Sequence, residues 1–321
     1  MPALRAIRRA LPEHEIALAT RPELHALVVL AAVADRVLPT PGLEPLHWPD
    51  PPPAVAVNLH GSGPQSHDIL AALKPWWLVT YALPGEPGPP WDDREHEVDR
   101  WCRLVETAGW AADPNDLFLP RPDVRPSVRQ AVVVHPGAAY ASRRWPLERF
   151  AEVVRCLHKE GMPVVVTGTA TEWPLAQALA AVSGLPASSV LAGRTGLLEL
   201  AALIASARLV ICGDTGVAHL ATAYRRPSVL LFGPTPPSQW GPRVRGPHTV
   251  LWRGEGREGQ GDPFADEPDP ALLEIEVDDV LTAARQRLVL GSAPPGTTPA
   301  SSRGPRRGPQ RATIPAAPEP G

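Results

Sequence analysis

Ile211-Cys-Gly-Asp-Thr-Gly-Val-Ala-His-Leu-Ala-Thr-Ala223 joins a buried-strand pattern to a tight turn and then to a helix. Leu209 to Cys212 is an apolar run of the kind carried by a parallel strand buried on both faces. Gly213 to Gly216 reads as the turn, and Val217 to Ala223 as a helix of small residues whose first amides have no partner within the helix. Those amides and the positive end of the helix dipole favour an anion such as a diphosphate, and Gly216 lets backbone approach it closely. His219 follows Asp214 by five residues, about one and a half turns, within reach of the same anion or of a sugar hydroxyl. Taken singly, Asp214 is equally an ordinary helix N-cap and His219 an ordinary core histidine.

Outward from this block, strands and helices alternate. Ala131 to Val134, Pro163 to Thr167, Val190 to Ala192 and Ser228 to Phe232 read as further strands; Leu147 to Glu160, Glu172 to Val182 and Leu197 to Ser206 read as helices. Pro146 opens the first of these helices, and Leu147, Phe150, Val154 and Leu157 give it an apolar stripe. Alternation of this kind implies right-handed crossovers and a parallel sheet covered on both faces, a Rossmann-like domain over residues 127–290. Residues 1–120 repeat the theme, with strands at Glu15 to Ala19, Ala54 to Leu59 and Leu78 to Tyr81, and helices at Pro2 to Leu11, Pro22 to Ala32 and Glu95 to Ala108. The Pro- and Arg-rich stretch Pro120 to Pro126 reads as the linker between the two. The first of these domains opens directly on a helix, whereas a doubly wound half begins with a strand and a glycine-rich turn, so its leading strand-loop unit is expected to lie upstream.

The 321 residues, 44% hydrophobic and 20% charged, suit a soluble α/β protein of two domains. A net charge of -3 gives no electrostatic case for nucleic acid. Cys102, Cys156 and Cys212 are scattered and without metal-ligand spacing, which fits a reducing cytoplasm and supports neither a disulfide framework nor a zinc site. The apolar run Leu24 to Val33 is too short to span a bilayer, leaving at most peripheral membrane contact. From Gly291 onward the chain is rich in Pro, Gly, Ser, Thr and Arg and reads as a disordered tail over 291–321.

The blocks His135-Pro-Gly-Ala-Ala, Arg143-Arg-Trp-Pro-Leu-Glu-Arg-Phe, Gly213-Asp-Thr-Gly-Val-Ala-His-Leu-Ala and Phe232-Gly-Pro-Thr-Pro-Pro-Ser-Gln-Trp-Gly-Pro242 together resemble glycosyltransferase family 9, the heptosyltransferase-like enzymes. The resemblance implies a GT-B fold, two Rossmann-like domains facing a cleft, with a nucleotide-sugar donor on the second domain and a glycan or glycolipid acceptor on the first. It makes Gly137, Ala138, Arg143, Glu172, Asp214, Thr215, Gly216 and His219 the donor-binding residues. Arg143 stands where many members carry lysine, which keeps the charge but changes its geometry. Glu172 matches a contact to the donor ribose or base, although an acid is also favoured at the helix start it occupies. His60, Gly61, Ser62 and Gln65 match the acceptor-side loop, with Gln65 near the position of a basic residue in other members.

The resemblance further implies an inverting single displacement with no cofactor beyond the nucleotide sugar. The absence of an Asp-x-Asp pair argues against a metal-bridged diphosphate. The family's general base is an aspartate in the loop after the first strand, so none of these residues inherits the role. A donor-binding protein that does not transfer sugar is therefore the competing expectation. A nicotinamide oxidoreductase is a poorer one, because no Gly-x-Gly-x-x-Gly follows any of the strands read above.

Overall fold

Residues 1–85, 87–243, 246–256 and 261–290 are described by the computed structural model; the expected tail, 291–321, lies outside them. The chain forms two compact units, the first Met1–Leu117 and the second beginning at Phe118.

The first unit contains α1 (Pro2–Ala10), β1 (Ala17–Thr20), a 3-10 turn at Pro22–Leu24 running into α2 (His25–Ala31), β2 (Arg36–Pro39), β3 (Val55–Val57), α3 (Gln65–Ala71), β4 (Trp77–Val79) and α4 (Glu97–Thr107). Its strands form two separate parallel pairs, β1 with β2 and β3 with β4. Ala3, Ala6, Ile7 and Leu11 of the α1 region pack with Val79, Tyr81, Leu104, Val105 and Trp110 to make its core. The Tyr81 hydroxyl donates to the Arg100 carbonyl at 2.5 Å, and the Arg100 guanidinium lies 4.1 Å from the Trp91 ring centre.

The second unit is built around short, largely apolar strands, two of which, β5 and β6, carry runs of three valines. Its elements are β5 (Val132–His135), α5 (Leu147–Lys159), β6 (Val164–Val166), α6 (Trp173–Ser183), α7 (Leu197–Ser206), β7 (Leu209–Gly213), α8 (Gly216–Ala223), β8 (Ser228–Leu231), α9 (Pro237–Trp240), β9 (His248–Leu251), α10 (Pro270–Leu273) and α11 (Val277–Leu290). One parallel sheet runs in the order β6-β5-β7-β8-β9, and β5 through β8 are buried along their whole length, as expected for strands covered on both faces. Phe150, Ala151, Val153, Val154 and Leu157 turn the apolar side of α5 into the core, where Trp145 meets Phe150 edge to face at 5.0 Å. Gly184, at φ +78°, ends α6 in the left-handed conformation that glycine adopts most cheaply.

Several elements differ from the reading of the sequence. Val190 to Ala192 is no strand: Val190 makes a single parallel bridge to Val166, with a 3-10 turn at Ala187–Ser189 before it and a turn closed by Arg194 N–H on the Leu191 carbonyl after it. The helix expected over Pro22 to Ala32 is divided, its first turn being 3-10. β2, α3, α9, β9, α10 and α11 are additional to the elements read from the pattern. The linker expected over Pro120 to Pro126 falls inside the second unit, where the Tyr224 hydroxyl donates to the Pro120 carbonyl at 3.1 Å and, just before it, the Phe118 ring centre lies 4.0 Å from Arg225. Among the described residues no helix is long and apolar enough to cross a membrane.

Candidate functional site

Arg143, Asp214, Thr215, Gly216 and His219 line one concave cavity of about 250 Å³ in the second unit, completed by Thr235, Trp240, Pro263 and Phe264. It lies beyond the carboxyl ends of the strands, where open parallel sheets bind ligands. β7 delivers Asp214 directly; α8 begins at Gly216 with Thr215 as its N-cap, and the Thr215 side chain makes no capping bond. A Cβ added at Gly216 would meet nothing within 4 Å, so the space before the first turn of α8 is open. His219 sits one turn into α8, its ring 6.4 Å from that of Trp240.

The cavity's polar groups are poorly satisfied by the protein itself. Nε of Arg143 and Oγ1 of Thr215 are buried without a hydrogen-bond partner; several side-chain atoms elsewhere in the chain share that state, but these two belong to residues that line this cavity. Asp214 is only 8% exposed. Burial pushes its pKa up to about 6, with the positive charge of Arg143 opposing the rise. Beneath them, burial pushes the Cys212 thiol up to about 12 despite the hydroxyl of Thr215 nearby, so it is an inert packing group.

The loop carrying Arg143 is tied down from a distance. Ser142 N–H donates to the Ala265 carbonyl at 3.1 Å, Asp269 N–H to the Ser142 carbonyl at 3.2 Å, and the Trp145 indole to the Ile275 carbonyl at 3.0 Å. Arg144 Nε closes the loop on the Ala138 carbonyl at 2.8 Å. A Cβ at Gly213 would stand 3.1 Å from the Arg143 carbonyl, so glycine there lets the loop settle against the end of β7.

Gly137, Ala138 and Glu172 are not part of the cavity wall; Gly137 and Glu172 form a second cluster at the ends of β5 and β6. Glu172 accepts from Thr169 N–H at 2.8 Å and from its hydroxyl at 3.0 Å. A Cβ at Gly137 would fall 2.1 Å from the Glu172 carboxylate. His135 Nδ1 lies 3.1 Å from Thr167 Oγ1; burial lowers its pKa and Glu172 pulls it the other way.

His60, Gly61, Ser62 and Gln65 belong to the first unit. Their loop is organised by buried Asn58, whose amide donates to Ser66 Oγ at 2.9 Å and to the Gly61 carbonyl at 3.3 Å, while its oxygen accepts from His60 N–H at 3.0 Å. His60 and Gln65 are exposed. Trp240 and Phe264, 40% and 64% exposed in the cavity wall, are additional to the sequence reading. Trp240 lay in a motif already singled out, whereas Phe264 lies in a stretch with no periodic signal.

A family model described as glycosyltransferase family 9 (heptosyltransferase) matches residues 92–256. The chain belongs to glycosyltransferase family 9. Its relatives include lipooligosaccharide heptosyltransferase 2 of Haemophilus influenzae, 34% identical over 38% of this chain and 36% of that protein. Lipopolysaccharide heptosyltransferase 3 of Escherichia coli is 32% identical over 52% of this chain and 49% of its own length. The chain thus spans about a third to a half of the curated relatives it matches. In fold it is similar to a family 9 glycosyltransferase of Veillonella parvula, TM-score 0.70 at 18% identity, covering 90% of this chain and 92% of that one. It is also similar to E. coli ADP-heptose lps heptosyltransferase II, TM-score 0.67 at 19% identity over 91% and 95%. The fold class is therefore α/β of the GT-B type found in this family, and the family 9 match takes in both the Arg143 loop and the Asp214 to His219 turn.

Proposed function

We propose that this chain is a glycosyltransferase that moves a heptose-like sugar from a nucleoside diphosphate to a cell-surface glycan or lipid-linked acceptor, with inversion and without a metal. The observation that carries this reading is the cavity at the start of α8, where buried Arg143 Nε and Thr215 Oγ1 wait without partners. A diphosphate supplies acceptor oxygens to both, and the first amides of α8 add donors to the same anion. The exposed Trp240 and Phe264 offer flat apolar surface to a base or sugar face. Asp214 suits sugar hydroxyls rather than phosphate, and Glu172 at the end of β6 suits the ribose.

In the transfer, an acceptor oxygen bonds to the anomeric carbon from the face opposite the diphosphate. The carbon–oxygen bond to the diphosphate breaks, its electron pair stays on the leaving oxygen, and the acceptor proton passes to a base. Arg143 and the α8 amides stabilise the charge that grows on the leaving group, which removes the need for a bridging cation. The names of the relatives, lipooligosaccharide and lipopolysaccharide heptosyltransferases, support a glycolipid acceptor, and the free thiols of Cys102, Cys156 and Cys212 support a cytoplasmic setting. His60, Gly61, Ser62 and Gln65 are the proposed acceptor-side contacts.

Titration with ADP, ADP-sugars, and UDP and GDP counterparts tests the reading. Saturable ADP-sugar binding with release of ADP supports transfer; failure to bind any of them overturns it. Binding without turnover in the presence of acceptor favours the competing reading, a donor-binding protein that does not transfer sugar. Chelator-insensitive turnover and an inverted anomeric signal in product spectra are expected.

A further inference from the structure

Arg143 and Phe264 reach the cavity wall from distant parts of the chain, and one ring stands against both. The Arg143 guanidinium carbon lies 5.6 Å from the centre of the Tyr140 ring. Phe264 meets the same ring edge to face, 5.1 Å between centres with the planes at 90°. Tyr140 is not itself part of the cavity wall; it stands behind the two residues that are, and is 39% exposed. Both contacts are made by its ring rather than its hydroxyl.

Backbone geometry dictates each contact. Tyr140 is the N-cap of a 3-10 turn at Ala141–Arg143, and Arg143 N–H donates to the Tyr140 carbonyl at 3.2 Å. Side chains three residues apart in such a turn eclipse, which brings the ring and the guanidinium together. Phe264 arrives through the segment that tethers this loop. The Ala265 carbonyl accepts from Ser142 N–H at 3.1 Å, and Asp262 folds the same segment back, its carboxylate accepting from Phe264 N–H at 2.8 Å and its carbonyl from Ala265 N–H at 3.3 Å. The bond that anchors residue 142 thus delivers Phe264 to the ring two positions earlier.

We propose that Tyr140 is a positioning residue: its ring, fixed in turn by Phe264, holds the Arg143 guanidinium in the cavity with its N–H groups left for a diphosphate. The inference rests on the nucleoside diphosphate reading of the cavity. Contact with a ring uses none of the guanidinium's donors, and Nε of Arg143 has no hydrogen-bond partner in the protein. A long side chain ordered in this way loses its rotamer freedom on folding rather than on binding, so the ligand meets a donor already aimed. Arginine suits the brace better than lysine, whose compact and strongly hydrated ammonium gains less from a ring.

Two substitutions separate the ring from the rest of the residue: Tyr140→Phe keeps it and Tyr140→Leu replaces it with an aliphatic side chain. In calorimetric titrations of the full chain with ADP, Tyr140→Phe is expected to bind as the parent does and Tyr140→Leu about fivefold more weakly. In an Arg143→Ala background Tyr140→Leu is expected to change nothing further. Equal affinities for tyrosine and leucine overturn the assignment, and so does a loss that persists without Arg143, since the ring then serves the ligand or the fold directly. The Arg143 Nε–H signal in nitrogen-15 spectra of the ligand-free protein supplies a second measurement. It is expected to be displaced by the ring current and slow to exchange with tyrosine or phenylalanine at position 140, and to lose both properties with leucine; a signal indifferent to that residue overturns the brace. Failure of the diphosphate reading looks different: the parent chain binds no ADP while the Nε–H signal still follows the ring, which sinks the proposed function and leaves the brace standing.

Discussion

The Arg143 guanidinium and the Asp214 carboxylate share one cavity, and the arginine holds down a carboxyl pKa that burial has pushed up to about 6. The carboxylate thus costs the folded protein free energy at neutral pH.

The sign of that cost is fixed by linkage. An aspartate with a folded pKa near 6 and an unfolded value of about 3.9 binds more protons folded than unfolded between those limits. Stability falls as pH rises through that window, and the full cost is present above it. Asp214→Asn is therefore expected to raise stability at pH 7.5 by up to about 2–3 kcal/mol, with the gain shrinking towards zero near pH 4. Denaturant melts at four pH values would check this; a pH-independent gain would rule out the carboxyl as its source.

Gly216→Ala separates ligand contact from folding. The added methyl meets nothing in the protein, so the melting temperature should hold or rise slightly, since alanine is the better helix former. ADP affinity is expected to drop at least tenfold because the methyl occupies the space before the α8 amides. Unchanged affinity would place the diphosphate elsewhere.

Arg143→Ala should weaken ADP binding by about 1.5–3 kcal/mol, tenfold to a hundredfold in Kd, the worth of hydrogen bonds to a charged group. Arg143→Lys should recover part of the loss, because the charge returns without the planar fork. Calorimetry on both variants decides it, and equal affinities for alanine and arginine would remove the residue from the site.

Gly137 and Glu172 are expected to be coupled. A methyl at Gly137 collides with the Glu172 carboxylate and displaces it from its bonds to Thr169. Gly137→Ala should cost about 1 kcal/mol in the native background and close to nothing in a Glu172→Ala background. A double-mutant cycle that sums additively would show that the carboxylate moves aside freely.

Much of the second unit could be read from sequence because its central strands are continuous apolar runs: Val132, Val133 and Val134 admit hardly any other placement. β9 was harder, since His248 to Leu251 is half-buried and its pattern is that of any short polar-apolar stretch. α11 follows an acidic, proline-bearing segment and turns only a sparse apolar stripe inward. The Asp214 to His219 turn stood out because strand, turn and helix are contiguous in the chain. Phe264 did not, because an exposed aromatic in a loop acquires its place only when Tyr140 packs edge to face on it at 5.1 Å.

The tethering of the Arg143 loop to Ala265, Asp269 and Ile275 sets an order of assembly. During synthesis, β5 and the loop emerge well over a hundred residues before the carbonyl of Ile275 that receives the Trp145 indole. A nascent chain can therefore form its sheet while the arginine is still unanchored, and acquires a finished cavity only when almost all of the second unit has left the ribosome. Chains released early, before Ile275, should therefore be unable to retain nucleotide, because the loop that carries Arg143 has nothing to hold it against the cavity.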